Sequence, residues 1–352
     1  MSTRIAVVGA GWWSTTVHLP ALRADQGIDV VAVVDSAPRR CELAVKQFGI
    51  PAWYSSVDDL LAAETIDGII IATPHHTHAP LVEKCLAAGV NVLVEKPLAM
   101  TAEEAWRVVA AERAGSARVV VGQTYQFAAC ARAVRVAVRE QIGDLVCINA
   151  EFSSTTDFLF ASEGATPEEV DQPGRPHAST YSDPATGGGQ GYTQLSHLLG
   201  GVVWATGRQA IEVSAFMENQ TYRVDVVDAL AFRLDGGALG VASSTGTTPQ
   251  GVPVRHTVRF HGSEGVVEWD MLAGSFWVFR RGGAISRVEN PVDRAAYGAS
   301  RVAVEFARII EGAADNPAPA DVAAASIALI EAAYAASRTG ARIAVPQGDL
   351  RS

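Results

Sequence analysis

Short apolar runs alternate with segments of helical period through the first 125 residues. Ile5–Val8, Val30–Val34, Gly68–Ala72, Asn91–Val94 and Arg118–Val121 are rich in Val and Ile and read as strands. Between them, Thr16–Ala24, Arg39–Phe48, Val57–Ala63, His78–Ala88 and Ala102–Ala114 repeat apolar residues at helical spacing. Near-continuous apolar strands separated by helices predict a parallel sheet covered on both faces. Pro20 falls inside the first helical pattern and should kink or restart that helix.

Beyond residue 125 the period changes. A helix over residues 129–141 leads to alternating strands at Asp144–Phe152, Ile211–Glu218, Val224–Leu234, Leu239–Thr245 and His256–Gly262. Val266–Asp270, Ser275–Phe279 and Ile285–Val288 continue the series. Alternation bounded by Asp-Gly, Gly-Gly and Pro-Gln-Gly turns predicts a large, mostly antiparallel open sheet. Helices over 300–313 and 321–337 and a strand at 343–346 close the chain, with Asp321 expected to cap the second of these helices. The chain thus divides at 125/126 into an α/β domain and an α+β domain, with the last helix and strand expected to pack back near the first domain. Residues 153–186, polar and aperiodic, read as a long functional loop.

Composition narrows the class. At 352 residues, 48% hydrophobic and 19% charged, the chain has material for two cores and is neither disordered nor fibrous. A net charge of −10 without Lys/Arg clusters argues against nucleic acid and anionic lipid as partners. The four cysteines, Cys41, Cys85, Cys130 and Cys147, form no CxxC pair, which points to a reducing compartment and no zinc knuckle. No apolar run in the sequence reads as a signal peptide or a membrane span, so a cytoplasmic location is expected.

Candidate chemistry sits at strand ends. Val8-Gly9-Ala10-Gly11-Trp12-Trp13-Ser14 closes a strand and opens a helix, where glycines admit a pyrophosphate to backbone N–H groups. Asp35 follows the second strand, 21 residues after Ser14, where a carboxylate binds ribose hydroxyls and repels a 2′-phosphate. Ser36, Arg39 and Arg40 can offset that repulsion, so NAD is the expected cofactor with NADP open. Thr73, Pro74, His75 and His78 follow the third strand, with no carboxylate or cysteine nearby to complete a metal site; they are expected to touch the cofactor. Glu95 and Lys96 precede Pro97 at the fourth strand's end, where burial would bring the lysine toward working pH. In Gly187-Gly-Gly-Gln190-Gly191-Tyr192-Thr193-Gln194-Leu195-Ser196-His197, Thr193 and His197 stand one helical turn apart, a hydroxyl and an imidazole suited to a polyol.

Together, GAGWWS with Asp35, ATPHHTHAP, VLVEKPLA, GGGQGYTQLSH and the closing IALIEAAYAASRTGARIAVP resemble the glucose–fructose oxidoreductase/inositol dehydrogenase/rhizopine-catabolism (Gfo/Idh/MocA) family over essentially the whole chain. The resemblance implies a Rossmann domain followed by an α/β domain whose open sheet forms a homodimer or homotetramer interface. It also implies hydride transfer between a nicotinamide and a secondary hydroxyl of a sugar, glycoside or cyclitol. The family's catalytic lysine matches Lys96 and its histidine matches His197, with His197 taking the hydroxyl proton and Lys96 stabilising the alkoxide or relaying the proton. Departures are Thr193 where the family has Asp, Leu195 for Gly, His75 for Asn and Gln126 for Arg. Tyr192-Thr193-Gln194 is similar to the Tyr-Asn-Gln of the family's dihydrodiol dehydrogenases. Tyr125, Thr193, Lys96 and His197 are expected to contact substrate, and Arg175, His177 and Tyr181 on the long loop would receive an acidic group if the substrate carries one. Alternative readings are oxidation of a cyclic cis-dihydrodiol, glycoside cleavage through transient oxidation, and a non-enzymatic NAD sensor.

Overall fold

The computed structural model describes residues 2–161, 176, 178–288 and 298–351. Arg175 and His177 lie outside the described residues.

The N-terminal sheet has six strands, all parallel: β1 (Thr3–Val8), β2 (Ile28–Val34), β3 (Ala52–Tyr54), β4 (Gly68–Ile71), β5 (Asn91–Val94) and β6 (Val119–Val121), in the order β3-β2-β1-β4-β5-β6. This is the doubly wound order in which ligands bind at the strands' carboxyl ends, between β1 and β4. Ile69, Ile70 and Ile71 are fully buried, as a parallel sheet covered on both faces requires. Strand β3 was not expected; at three residues, it is too short to show a period. The first helical pattern divides at its proline: a π turn spans Ser14–His18, and an α-helix starts at Leu19 with Pro20 in its first turn. Proline lacks an N–H, and the first turn is where no partner is needed for one.

The second sheet has nine strands: β7 (Leu145–Ser153), β8 (Ala210–Glu218), β9 (Val227–Leu234), β10 (Leu239–Thr245), β11 (His256–Gly262), β12 (Gly265–Asp270), β13 (Ser275–Arg280), β14 (Ile285–Val288) and β15 (Ile343–Ala344). Their order is β14-β13-β12-β11-β7-β10-β9-β8-β15, and only β7 and β10 pair in parallel. Residues along β9 and β10 alternate buried and exposed, with one face on the core and the other outward.

The chain end distributes itself between the layers. The helix Ala299–Ile310 puts Val302, Ala303 and Phe306 into the core of the parallel sheet with Ile5, Val7 and Leu93. The helix Ala320–Thr339 has the length and hydropathy of a membrane span, yet 78% of its apolar window is buried inside the fold. The last strand joins the nine-stranded sheet beside β8 instead of the first domain. Asp321 is not the cap: Pro319 holds that position, and the Asp321 carboxylate in the first turn binds Arg113 at 3.1 Å and the Arg351 N–H at 2.9 Å, tying the C-terminus to the first domain.

Candidate active site

Two cavities meet at the carboxyl edge of the parallel sheet. The outer groove, about 740 Å³, runs from the β1–helix turn past Asp35, and the inner chamber, about 280 Å³, lies between the domains. Trp12, Trp13, Thr73 and Tyr181 line both, so the two spaces share a wall.

The groove is shaped by the glycine turn. Gly9 has φ +94°, and a Cβ there would stand 2.5 Å from the Ala72 carbonyl, so only glycine fits. At Gly11 a side chain would meet nothing within 4 Å, which leaves open room over the backbone. Asp35 accepts the Ala10 N–H at 2.8 Å and the Ala37 N–H at 2.9 Å, so its carboxylate braces the turn while facing the groove. Each carboxylate oxygen keeps a second lone pair for a ribose hydroxyl. Ser36, Arg40 and Pro74 also line the groove; Arg39 does not. One residue along a helix is a rotation of about 100°, and Arg39 is exposed on another side of its helix. His76 and Thr77 of the ATPHHTHAP motif line the groove too, and Ser55–Asp58, Lys84 and Ser179 from the second domain, which no sequence motif marks, complete it.

In the inner chamber the Glu95–Lys96 pair is gripped from both domains. Glu95 Oε1 accepts the Trp13 indole N–H at 2.9 Å and lies 2.9 Å from Nε2 of His18, which is fully buried on the first π turn. Burial raises the Glu95 carboxyl, but His18, Lys96 and Trp13 together outweigh it and leave the group below its ordinary range, ionised. Lys96 donates to the Thr193 carbonyl at 2.6 Å, and the Lys96–Pro97 peptide is cis. Desolvation lowers the lysine to about 8, with the Glu95 charge opposing.

Thr193 and His197 both line the chamber, but Thr193 meets Lys96 through its backbone. A second π turn, Gly191–Leu195, precedes the α-helix Ser196–Thr206, and the wider winding of a π turn splays carbonyls from the axis. The Thr193 hydroxyl donates back to the Gly189 carbonyl at 2.6 Å, so as a donor it is already used. His197 is 1% exposed; burial first, then the charges of Lys96 and His256, hold it well below the usual imidazole range. It is therefore neutral at working pH and a weak base, whereas Lys96 is poised close to neutrality.

Tyr125 is not on the chamber surface. It lies behind the wall, 1% exposed, with its hydroxyl 2.5 Å from His256 Nδ1 and its ring edge-on to His197. His256, which does line the chamber, escaped the sequence reading, as did Phe152, stacked on it at 3.7 Å. The two are cross-strand partners on β11 and β7, a pairing that no local pattern reveals. Burial takes His256 down to about 4. His75 is turned into the chamber by the Gly187 carbonyl, 2.8 Å from Nδ1, and lies edge-on to Tyr181. His78, expected at the cofactor, is fully buried between the Pro97 and Thr73 carbonyls and lines the inner chamber instead of the groove. Phe158 and Leu159 add apolar wall, and Lys96 is the only lysine or arginine among the described lining residues. No group of three metal-ligating side chains occurs among the described residues.

A doubly wound domain whose glycine turn and Asp35 open on a groove, joined to a chamber under a large open sheet, defines a two-domain dinucleotide-binding protein. Residues 3–123 match the oxidoreductase family with an NAD-binding Rossmann fold, and residues 131–268 match the GFO/IDH/MocA C-terminal domain. The chain belongs to the Gfo/Idh/MocA family of NAD-binding oxidoreductases. It is 34% identical over 158 residues to an inositol 2-dehydrogenase of Arthrobacter sp., covering 44% of this chain and 46% of that one. It is 29% identical over 216 residues to a 1-carboxy-3-chloro-3,4-dihydroxycyclohexa-1,5-diene dehydrogenase of Comamonas testosteroni, covering 61% and 50%. These alignments thus span about half the length of the relatives they match. GenD2 from gentamicin A biosynthesis, solved in complex with NAD, superposes with a TM-score of 0.76 at 22% identity, covering 98% of this chain and 97% of that one.

Proposed function

We propose that the protein transfers hydride between the secondary hydroxyl of a neutral polyol and NAD. The observation that carries this reading is Lys96 in the wall of the inner chamber, held by the Thr193 carbonyl at 2.6 Å and brought by desolvation to about 8. When bound, NAD supplies the hydride acceptor. In the oxidation direction, unprotonated Lys96 takes the substrate's hydroxyl proton as the carbinol C–H leaves as hydride, and a ketone remains. In reduction, the Lys96 ammonium returns that proton. Neutral His197 orients the hydroxyl by hydrogen bonding instead of removing its proton, which reverses the roles expected from the family resemblance.

The walls support substrates of low charge. Phe152, Phe158, Leu159, Trp12 and Tyr181 offer apolar surface, while Ser154, Thr156 and Gln194 offer hydrogen bonds. That mixture fits a sugar, glycoside or cyclitol, and the aromatic share favours a cyclic dihydrodiol as the second reading. The test is NADH formation from NAD with sugars, glycosides, inositols and a cis-dihydrodiol. A rise with a polyol, lost in Lys96→Ala, supports the reading; NAD binding with no turnover on any compound overturns it. Cleavage of a glycoside without NADH accumulation would instead mark an oxidation that is reversed within each cycle.

The open face of the second sheet is the expected contact between copies of this chain. Val146, Phe216, Leu239 and Val241 are exposed there, with Arg259 and Glu268 paired beside them. A dimer or tetramer in sedimentation, reduced to monomer by Phe216→Glu, supports this; a monomer at micromolar concentration rules it out.

A further inference from the structure

A buried carboxyl pair lies behind the second π turn, outside both cavities. Asp225 accepts the Gly191 N–H through Oδ2 and the Tyr334 hydroxyl through Oδ1, each at 2.7 Å, and its own carbonyl accepts the Gln190 N–H at 2.9 Å. Asp228, 1% exposed, is the next titratable group against it. Gly189, at φ +106°, packs so closely on the Asp225 carboxyl that a Cβ there would collide with it. From Gly189 the bonding continues toward the chamber: its carbonyl takes the Thr193 hydroxyl, and the Thr193 carbonyl takes Lys96. Tyr192 in the same turn stacks on Tyr334 at 5.2 Å and donates to the Met100 carbonyl, four residues beyond Lys96.

We infer that Asp225, partnered by Asp228, is a positioning residue for Lys96: it fixes the π turn so that the Thr193 carbonyl receives the lysine in place of a carboxylate side chain. The chemistry of the pair matches that task. An α-helical start leaves N–H groups unpaired, and an ionised carboxylate satisfies them more strongly than a neutral acceptor. Two adjacent buried carboxyls cannot both be charged. Burial and then the Asp225 charge hold Asp228 well above the ordinary range, so Asp228 keeps its proton and leaves the charge to Asp225. Asp225 is raised by burial, against the pull of Tyr334, Gly191 and Asp228.

The inference rests on Lys96 being the reacting amine, but its test needs no substrate. The full-length protein is labelled with acetic anhydride from neutral to alkaline pH, and acetylation of the Lys96 peptide is followed by mass spectrometry. The wild-type amine should titrate near about 8 and reach a low plateau, being held by Thr193 and hemmed by Glu95, His75, His78 and His197. Asp225→Asn replaces one acceptor oxygen by a donor amide facing Gly191 or Tyr334, and the Lys96 plateau should rise about threefold or more. Tyr334→Phe, which removes one bond without touching charge, should move it the same way and serves if Asp225→Asn does not fold. Asp228→Asn keeps a neutral group of the same shape and should label as wild type does. Lower thermal stability with unchanged Lys96 labelling in Asp225→Asn and Tyr334→Phe would overturn the inference, as would an Asp228→Asn profile as altered as that of Asp225→Asn. An inactive enzyme whose labelling follows this pattern would count against the proposed reaction, not against the positioning.

Discussion

The two π turns form a natural pair. Each follows a glycine-rich turn, each opens a helix, and each reaches one member of the Glu95–Lys96 dipeptide. The first belongs to the parallel domain and acts through side chains, His18 and Trp13 on the Glu95 carboxylate. The second belongs to the antiparallel domain and acts through its backbone, Thr193 on Lys96. Side-chain contacts to Glu95 fix the charge beside the lysine and so its protonation, whereas a carbonyl contact fixes its position. The two domains thus control separate properties of one amine, and mutations in each should separate them.

The largest effect removes what both turns hold. Lys96→Ala should lower turnover by on the order of 10²-fold or more while leaving NAD affinity nearly unchanged, read by steady-state kinetics and by cofactor titration. Next comes the charge side. Glu95→Gln removes the influence that holds the lysine up, so the pH at which oxidation reaches half its maximum should fall below about 8. In wild type, oxidation should rise as pH passes about 8, because the free amine is the base, and ketone reduction should fall over the same interval, because the ammonium is the acid. A profile that is flat through this interval would detach Lys96 from proton transfer. In the groove, Asp35→Ala loosens the Ala10 turn and removes the carboxylate proposed to bind the ribose. NAD should bind about tenfold more weakly and the preference over NADP should narrow, measured by fluorescence titration of both cofactors.

Legibility also divides between the two turns. The first was readable because its parts are contiguous: strand, Gly9-Ala10-Gly11 and Pro20 in order, with Asp35 at a fixed distance. Its link to Glu95 was not, since His18 looks like any polar interruption between Val17 and Leu19 until the fold buries it. The second turn was visible as a glycine-rich helix start, but a π winding has no sequence period of its own. An expected role for the Thr193 hydroxyl therefore became a role for its carbonyl. His256 opposite Phe152 depends on strand register across more than a hundred residues, and Asp225 beneath Gly191 on a loop-to-turn contact across more than thirty. Position within a helix misled at Arg39, where Arg40 has the phase that faces the groove. Tyr125 lay close to the right place in the chain but one layer too deep.

The smallest effect separates positioning from stability at Asp228. Its carboxyl is raised well above the ordinary value in the folded protein, so the proton must be retained on folding. A group with a raised folded pKa contributes most below the unfolded value, and its contribution is lost progressively as pH rises toward the folded one. Asp228→Asn has no proton to lose. Relative to wild type, its melting temperature should therefore gain steadily from acid to alkaline pH, with Lys96 labelling unchanged throughout. A difference that does not vary with pH would mean that Asp228 is not the protonated member of the pair.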